Sequence, residues 1–337
     1  MSHLLLLQSD VQLGVVPTQI KFAGGLAPDA SGRLPREADG RIMVVAEMDR
    51  VCGQSPVRPT CTQVTYFAGT DAGDIAEMFG GLRALGLEVH MIMMVAGANP
   101  MEPSDEDAVV AQLVGGLAIA KEHHITHVSS TSVEEWMRGD RRRDGADFDA
   151  AVAQTVKVHA RAVREAGLEG SSIVNWHLEF LRPGEFKTFT DIGRVWQFVQ
   201  GVNKELGKTF FKILADAAHC GDSGLSIPEN QVLIKKVAAA GELGIFHASA
   251  KTTRGCLSTD DGWIAALLGT AASTGELRHV FVEVFHHEDE GLAPLRALDP
   301  GHGIDTRDGR TYTQVVIDGL VDVARRLNNL KARGILK

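Results

Sequence analysis

The chain has 337 residues, of which 44% are hydrophobic and 23% charged, and its formal net charge at pH 7 is −9. This composition is that of an ordinary globular protein, and the negative charge argues against nucleic acid as a partner, because surfaces that bind phosphates are usually basic. The apolar run Leu4–Leu7 is far too short for a signal peptide or a membrane span. No C-x-x-C pair occurs, so we expect reduced thiols in a cytoplasmic protein at all four cysteines, Cys52, Cys61, Cys220 and Cys256.

The first half of the chain alternates between predicted strands and predicted helices. Strands are expected over residues 11–18, 62–68, 88–95 and 127–131, and helices over 42–51, 74–85, 104–120 and 148–166. Ser104, with Asp107 three residues later, resembles a helix capping box. Two long loops are expected, at about 23–36 and at 133–147, the second of which carries Trp136 and a run of three arginines.

The second half repeats one pattern, a short apolar strand with a polar residue near its carboxyl end. The strands are expected near residues 173–180, 210–216, 243–247 and 279–285, and helices over 191–206, 228–240, 261–274 and 312–332. The polar residues are Glu179, Asp216, His247 and Glu283, separated by 37, 31 and 36 positions. Each interval is long enough for one strand, one helix and two loops.

Counting both halves gives eight strands, each followed by a helix. This order predicts an α/β fold, a single (β/α)8 TIM barrel, with one domain spanning residues 1–337. An open doubly wound sheet is the second choice. It would normally carry a glycine-rich phosphate turn after the first strand, and the segment from Gly14 to Pro17 is not such a turn.

The carboxyl ends of barrel strands meet at one face of the molecule, where the catalytic residues of such barrels lie. Glu179, Asp216, His247 and Glu283 are therefore predicted to converge there. Three carboxylates and one imidazole are mostly hard ligands, so the sequence predicts a divalent-metal site. Mn²⁺ is the first choice, with Mg²⁺, Co²⁺ and Zn²⁺ as alternatives.

Other side chains near the strand ends are candidates for the same site. His177 precedes Glu179 by two residues and faces the same side of its strand, either as an acid/base or as a hydrogen-bonded barrel histidine. His219 follows Asp216 by three and could contact substrate oxygens. Lys251 and Arg254, after His247, could bind a substrate hydroxyl or phosphate, or be ordinary loop residues.

The order of these residues resembles a known family. Strands that end in Glu179, then Asp216-x-x-His219, then His247, then Glu283 resemble the xylose-isomerase-like barrel superfamily, and within it the single-metal ketose 3-epimerase and sugar isomerase branch. The resemblance implies that four of these residues are the metal ligands and that His219 contacts the substrate. Over about residues 170–290 the resemblance rests on motifs. In the first half of the chain it rests only on the number of strands.

Two further positions are compared with the family pattern. Glu185 stands six residues after Glu179, where family members often carry a substrate-contacting glutamate. The family's arginine usually comes six residues after the third ligand, but position 253 here is threonine and Arg254 comes one later. The resemblance thus implies substrate binding by Glu185 and leaves Arg254 as a displaced candidate.

The implied activity is a sugar isomerase or epimerase that uses a divalent metal and a small-molecule sugar or sugar derivative. Glu179 and Glu283 would exchange a proton with the carbon next to the carbonyl through an enediolate. The cation would stabilise the developing oxyanion. A homo-oligomer, dimer or tetramer, is also implied.

Three other functions remain open at this stage. A metal-dependent lyase that cleaves 3-oxo-glycosides, similar to C-glycoside deglycosidases, would use His177 as base and could need a small accessory subunit. An apurinic-endonuclease-like nuclease would need further histidines on early strands and an Asp-x-His soon after His247, which the sequence lacks there. A sugar-binding barrel without catalysis would show no metal-dependent turnover.

Overall fold

The computed structural model describes residues 4–17, 25–251, 260–285, 293–301, 303 and 309–336. Eight parallel strands form a closed barrel in sequence order, with the last strand paired to the first. They are β1 Gln12–Val15, β2 Cys61–Tyr66, β3 Glu88–Met93, β4 His127–Ser130, β5 Asn175–Glu179, β6 Phe211–Asp216, β7 Leu243–Ala248 and β8 His279–Val282. The predicted (β/α)8 barrel is confirmed, and the doubly wound alternative is excluded because an open sheet has two unpaired edge strands.

Helices follow the strands and cover the outside of the barrel. They are α1 Met43–Gln54, α2 Ala72–Ala84, α3 Glu106–Glu122, α4 Ala146–Ala166, α5 Ile192–Leu206, α6 Ala217–Asp222, α7 Ile227–Ala239, α8 Trp263–Thr274, α9 Ala293–Leu298 and α10 Tyr312–Ala332. Within the described ranges, none of these helices combines the length and the apolar character needed to cross a membrane.

Side chains that point outward from the strands form the layer between barrel and helices. Trp176 of β5 stacks on Phe211 of β6 with ring centroids 4.9 Å apart, and both are fully buried. Phe198 of α5 meets Phe211 edge-on at 5.9 Å. Such aromatic packing contributes much of the stability of the barrel wall, because each ring removes a large apolar area from water.

Side chains that point inward fill the barrel in layers. An apolar cluster inside the barrel consists of Val16, Cys61, Leu214, Ile245 and Phe281, all of them essentially without exposure. Gly14 fits beside this cluster only because it lacks a side chain. A Cβ there would lie 2.5 Å from the carbonyl oxygen of Cys61 and 2.7 Å from Cε1 of Phe281. The Phe281 ring lies between the two ends of the barrel, with its centroid 5.2 Å from that of His90 and 6.0 Å from that of His247.

The structure differs from the predicted elements in three places. Two short helices, α6 and α9, were not predicted, because six residues are too few to show a helical period. The capping box at Ser104 is wrong. Residues Pro103–Asp105 form a 3-10 turn, Asp105 is the N-cap of α3, and the Ser104 hydroxyl bonds the Asp105 carboxylate instead.

We predict that Phe281→Ala will lower the free energy of unfolding by about 3–5 kcal/mol, since it leaves a cavity in the centre of the barrel. Urea denaturation checks this value. The matched control is Val232→Ala, at a side chain that is 51% exposed, and we expect a change within about 0.5 kcal/mol there. Equal effects of the two substitutions would contradict the layered packing.

Candidate functional site

The four residues at the carboxyl ends of the second-half strands lie together at the upper end of the barrel. Glu179 ends β5, Asp216 ends β6, His247 lies on β7, and Glu283 directly follows β8. One donor atom from each lies within 4.8 Å of the others, and all four residues are buried. We call these four residues the upper centre.

Three carboxylates surround one nitrogen of His247. Its Nδ1 lies 3.2 Å from Oε2 of Glu283, 3.7 Å from Oε1 of Glu179 and 3.9 Å from Oδ2 of Asp216. Around an octahedral cation with ligands at about 2.1 Å, neighbouring donor atoms lie about 3 Å apart. The donor atoms of the upper centre lie slightly farther apart than this, so small movements of the side chains would bring them around one ion.

The other nitrogen of His247 is held by Gln63 of β2. Nε2 of His247 is 2.7 Å from Oε1 of Gln63, while the Gln63 amide nitrogen donates to the Ser129 hydroxyl at 2.5 Å. Because an amide oxygen only accepts, Nε2–H is the donor, and Nδ1 is the ring nitrogen that is turned to the carboxylates and can offer a lone pair to a metal. A lone pair facing three carboxylates is stabilised by a cation between them, so the donor set fits a divalent metal.

Gln63 was not singled out in the sequence. The available signal was its position on β2, where it lies between Cys61 and Thr65 on the inward face. An uncharged polar side chain in the interior of a barrel needs a hydrogen-bond partner. The sequence does not show the partner of Gln63, because His247 lies 184 positions away and approaches it only when the barrel closes.

His219 lies at the upper centre because Asp216 begins a helix. Oδ1 of Asp216 accepts the backbone N–H of His219 at 2.9 Å and so caps α6. Nδ1 of His219 accepts the backbone N–H of Arg182 at 3.2 Å, and its Nε2 lies 3.2 Å from Oε1 of Glu179. Nε2–H therefore donates to Glu179 and orients that carboxylate.

Glu185 lies in the wall of the cavity above the upper centre. Its Oε1 accepts the indole N–H of Trp136 at 3.2 Å, and its Oε2 accepts Nε–H of Arg182 at 3.2 Å. Arg182 is itself buried and also reaches Asp222 at 3.4 Å and Asp299 at 3.2 Å. Arg182 and Trp136 are thus the residues that position Glu185, and neither was assigned a role from the sequence.

The cavity has a carboxylate floor and a largely apolar wall. Glu179, Glu185, His219 and Glu283 contribute polar atoms to it. The remaining lining residues are Thr65, Phe67, Ile92, Met94, Thr131, Trp136, Leu181, Phe285 and Leu295. A cavity of this kind accommodates a small molecule that has both hydroxyl groups and C–H faces.

His177 and Lys251 are not among the residues that line this cavity. His177 points into the barrel but lies one layer lower, with Nε2 3.2 Å from Nδ1 of His127. Lys251 packs beside Gly221 of α6, and its Nζ lies 5.1 Å from the centre of the Trp263 ring. Arg254 lies outside the described residues.

We predict that Gln63→Leu will weaken metal binding at the upper centre about 10- to 100-fold, because His247 loses the acceptor that fixes its tautomer. Competition against a fluorescent chelator measures the affinity. Gln63→Glu keeps an acceptor for Nε2–H and is the control, with an affinity near that of the unmodified protein. Unchanged affinity in Gln63→Leu would contradict this function of Gln63.

Comparisons with known proteins agree on the architecture. No protein-family model and no curated protein sequence matches the chain. Among solved structures, D-allulose 3-epimerase from Methylomonas sp. in complex with D-allulose is 13% identical, with 97% of this chain and 100% of that chain covered and a TM-score of 0.70. An L-ribulose 3-epimerase is 15% identical, with 96% and 97% covered and a TM-score of 0.68.

A third solved structure contains a metal ion. The IOLI protein, solved with a binding zinc atom, is 12% identical, with 91% of this chain and 98% of that chain covered and a TM-score of 0.59. At such identities a structural match establishes the fold. The chain therefore shares the closed (β/α)8 barrel fold of these solved structures.

Proposed function

We propose that this protein is a divalent-metal-dependent sugar isomerase or epimerase that transfers a proton at the carbon next to a carbonyl group. The observation that carries the proposal is that two carboxylates, Glu179 and Glu283, line the same cavity and both flank Nδ1 of His247. The 3-epimerases that share the fold support the substrate class, since they are named for the ketoses D-allulose and L-ribulose.

The metal would be held by the four residues of the upper centre, Glu179, Asp216, His247 and Glu283. When bound, a divalent cation polarises a carbonyl and stabilises negative charge that develops on its oxygen. Mn²⁺ is our first choice because three of the four donors are carboxylates, with Mg²⁺, Co²⁺ and Zn²⁺ as alternatives. The zinc atom in the structure of the IOLI protein supports a divalent ion in this fold.

Glu179 and Glu283 are the proposed acid/base pair. They come from β5 and β8, on different sides of His247, so a sugar carbon between them could lose a proton to one and regain it from the other. His219 donates to Glu179 from 3.2 Å, which fixes the direction of this carboxylate. Glu185, held by Trp136 and Arg182, would accept hydrogen bonds from sugar hydroxyls.

The lyase alternative depended on His177 as a base. Because the His177 imidazole lies below the cavity and contacts His127, its position favours the isomerase or epimerase over the 3-oxo-glycoside lyase. Lys251 and Arg254 keep their predicted role in substrate binding only as candidates. One domain spanning residues 1–337, a dimer or tetramer and a cytoplasmic location likewise stay predictions.

We expect Glu179→Gln and Glu283→Gln each to lower kcat at least 100-fold, because an amide cannot exchange the proton. Turnover of a ketose in saturating Mn²⁺ measures the effect, and the control is Glu169→Gln, the same change at an exposed carboxylate. Full activity in both variants would overturn the acid/base assignment.

We further expect that protein stripped with EDTA is inactive and regains turnover with Mn²⁺, Co²⁺, Mg²⁺ or Zn²⁺ added separately. NMR in D₂O of a panel of ketoses, aldoses and 3-oxo-glycosides should show deuterium entering next to the carbonyl of a free sugar. Release of an aglycone without such exchange would replace the proposal by the lyase. Turnover that does not depend on metal would exclude both.

A further inference from the structure

Three histidines point to the barrel axis at the lower end, opposite the upper centre. They are His90 of β3, His127 of β4 and His279 of β8, and we call them the lower histidine cluster. Their ring centroids form a nearly equilateral triangle with sides of 4.7, 4.7 and 4.8 Å. One ring nitrogen from each lies within 4.8 Å of the other two.

His90 is fully buried, and neither of its ring nitrogens has a hydrogen-bond partner among the residues that the structure describes. Its nearest charged neighbour is Glu88, with Oε1 3.7 Å from Nε2 of His90. A buried polar group left without a partner is costly, and native structures rarely retain one without a reason. The position of His90 therefore indicates a bound group between the three rings.

Burial dominates the electrostatic surroundings of the three imidazoles. Burial lowers the pKa of His90, of His127 and of His279 to about 4. The charged side chains that act on the cluster are the carboxylate of Glu88, which also accepts the Thr126 hydroxyl at 2.7 Å, and the more distant cations Lys212 and Arg278.

His177 lies beside the lower histidine cluster and contacts His127. Nδ1 of His127 lies 3.2 Å from Nε2 of His177, so a proton on Nδ1 of His127 leaves its Nε2 as a lone pair. Ligating histidines are commonly oriented in this way, by donating the second ring N–H to a neighbour. Gly244 makes room for His177, since a Cβ there would lie 2.2 Å from Nδ1 of His177.

We propose that His90, His127 and His279 bind a transition-metal ion of the zinc class, with a fourth position filled by Glu88 or water. In a tetrahedral site with Zn–N distances of about 2.0–2.1 Å, the nitrogens lie about 3.4 Å apart. The present spacing, within 4.8 Å, closes to that value by small ring rotations. The site lies at the amino ends of the strands, so its role is to hold the barrel together and not to catalyse.

The proposed site is distinct from the upper centre in place and in chemistry. The Phe281 ring lies between them, with its centroid 5.2 Å from that of His90 and 6.0 Å from that of His247. Three imidazoles suit Zn²⁺, Ni²⁺ or Cu²⁺, whereas the carboxylate-rich upper centre suits Mn²⁺ or Mg²⁺.

Crystals of the unmodified protein grown with Zn²⁺ test the site directly. Anomalous difference maps collected above and below the zinc absorption edge should show a peak enclosed by the three rings of the lower histidine cluster. An empty cluster, in crystals whose upper centre holds zinc, would overturn the proposal.

Metal content in solution provides a second test. Protein saturated with Zn²⁺ and desalted should contain two zinc ions per chain, and His279→Asn should contain one. His124→Asn is the matched control and should keep two, because His124 is exposed and its φ of 52° suits asparagine. A zinc content that is the same in the unmodified protein and in folded His279→Asn would overturn the proposal. If His279→Asn does not fold, the crystallographic test decides.

Discussion

The upper end of the barrel is organised by the burial of three carboxylates around one imidazole nitrogen. Taking like charges out of water is costly unless each receives hydrogen bonds or a counter-ion. Part of that requirement is met locally, since Asp216 caps α6, Glu179 accepts from His219, and Gln63 holds the far side of His247. The proposed divalent cation would supply the remainder, so the proposed cofactor and the proposed chemistry depend on the same four side chains.

Under the proposed function, substrate specificity would depend on segments beyond the strands. Arg182 connects Glu185 to Asp222 at the end of α6 and to Asp299 after α9, while Trp136 binds Glu185 from the connection between β4 and α4. Glu185 is therefore held from both sides. A rigid acceptor in the wall of the cavity would discriminate between sugars by the direction of one hydroxyl group.

The two ends of one barrel offer different chemistry because inward side chains alternate in layers. The upper end carries mainly oxygen donors, the lower end carries imidazoles, and the Phe281 ring lies between His247 of the upper end and His90 of the lower end. His177 shows this difference between the two ends. Its side chain lies on the same strand face as that of Glu179, only two residues away. Its imidazole nevertheless lies towards the lower end of the barrel and contacts His127.

The sequence alone determined the barrel and the upper centre, since strand order and a polar residue at each strand end are local features that repeat along the chain. It could not assign Gln63 to His247, nor bring His279 to His90 and His127, because strands β7 and β8 reach the early strands only when β8 closes on β1. The sequence also predicted the strand face on which His177 lies, but it did not predict how deep in the barrel the imidazole lies. Depth depends on the stagger of neighbouring strands, which is decided by tertiary packing and not by the period of any one strand.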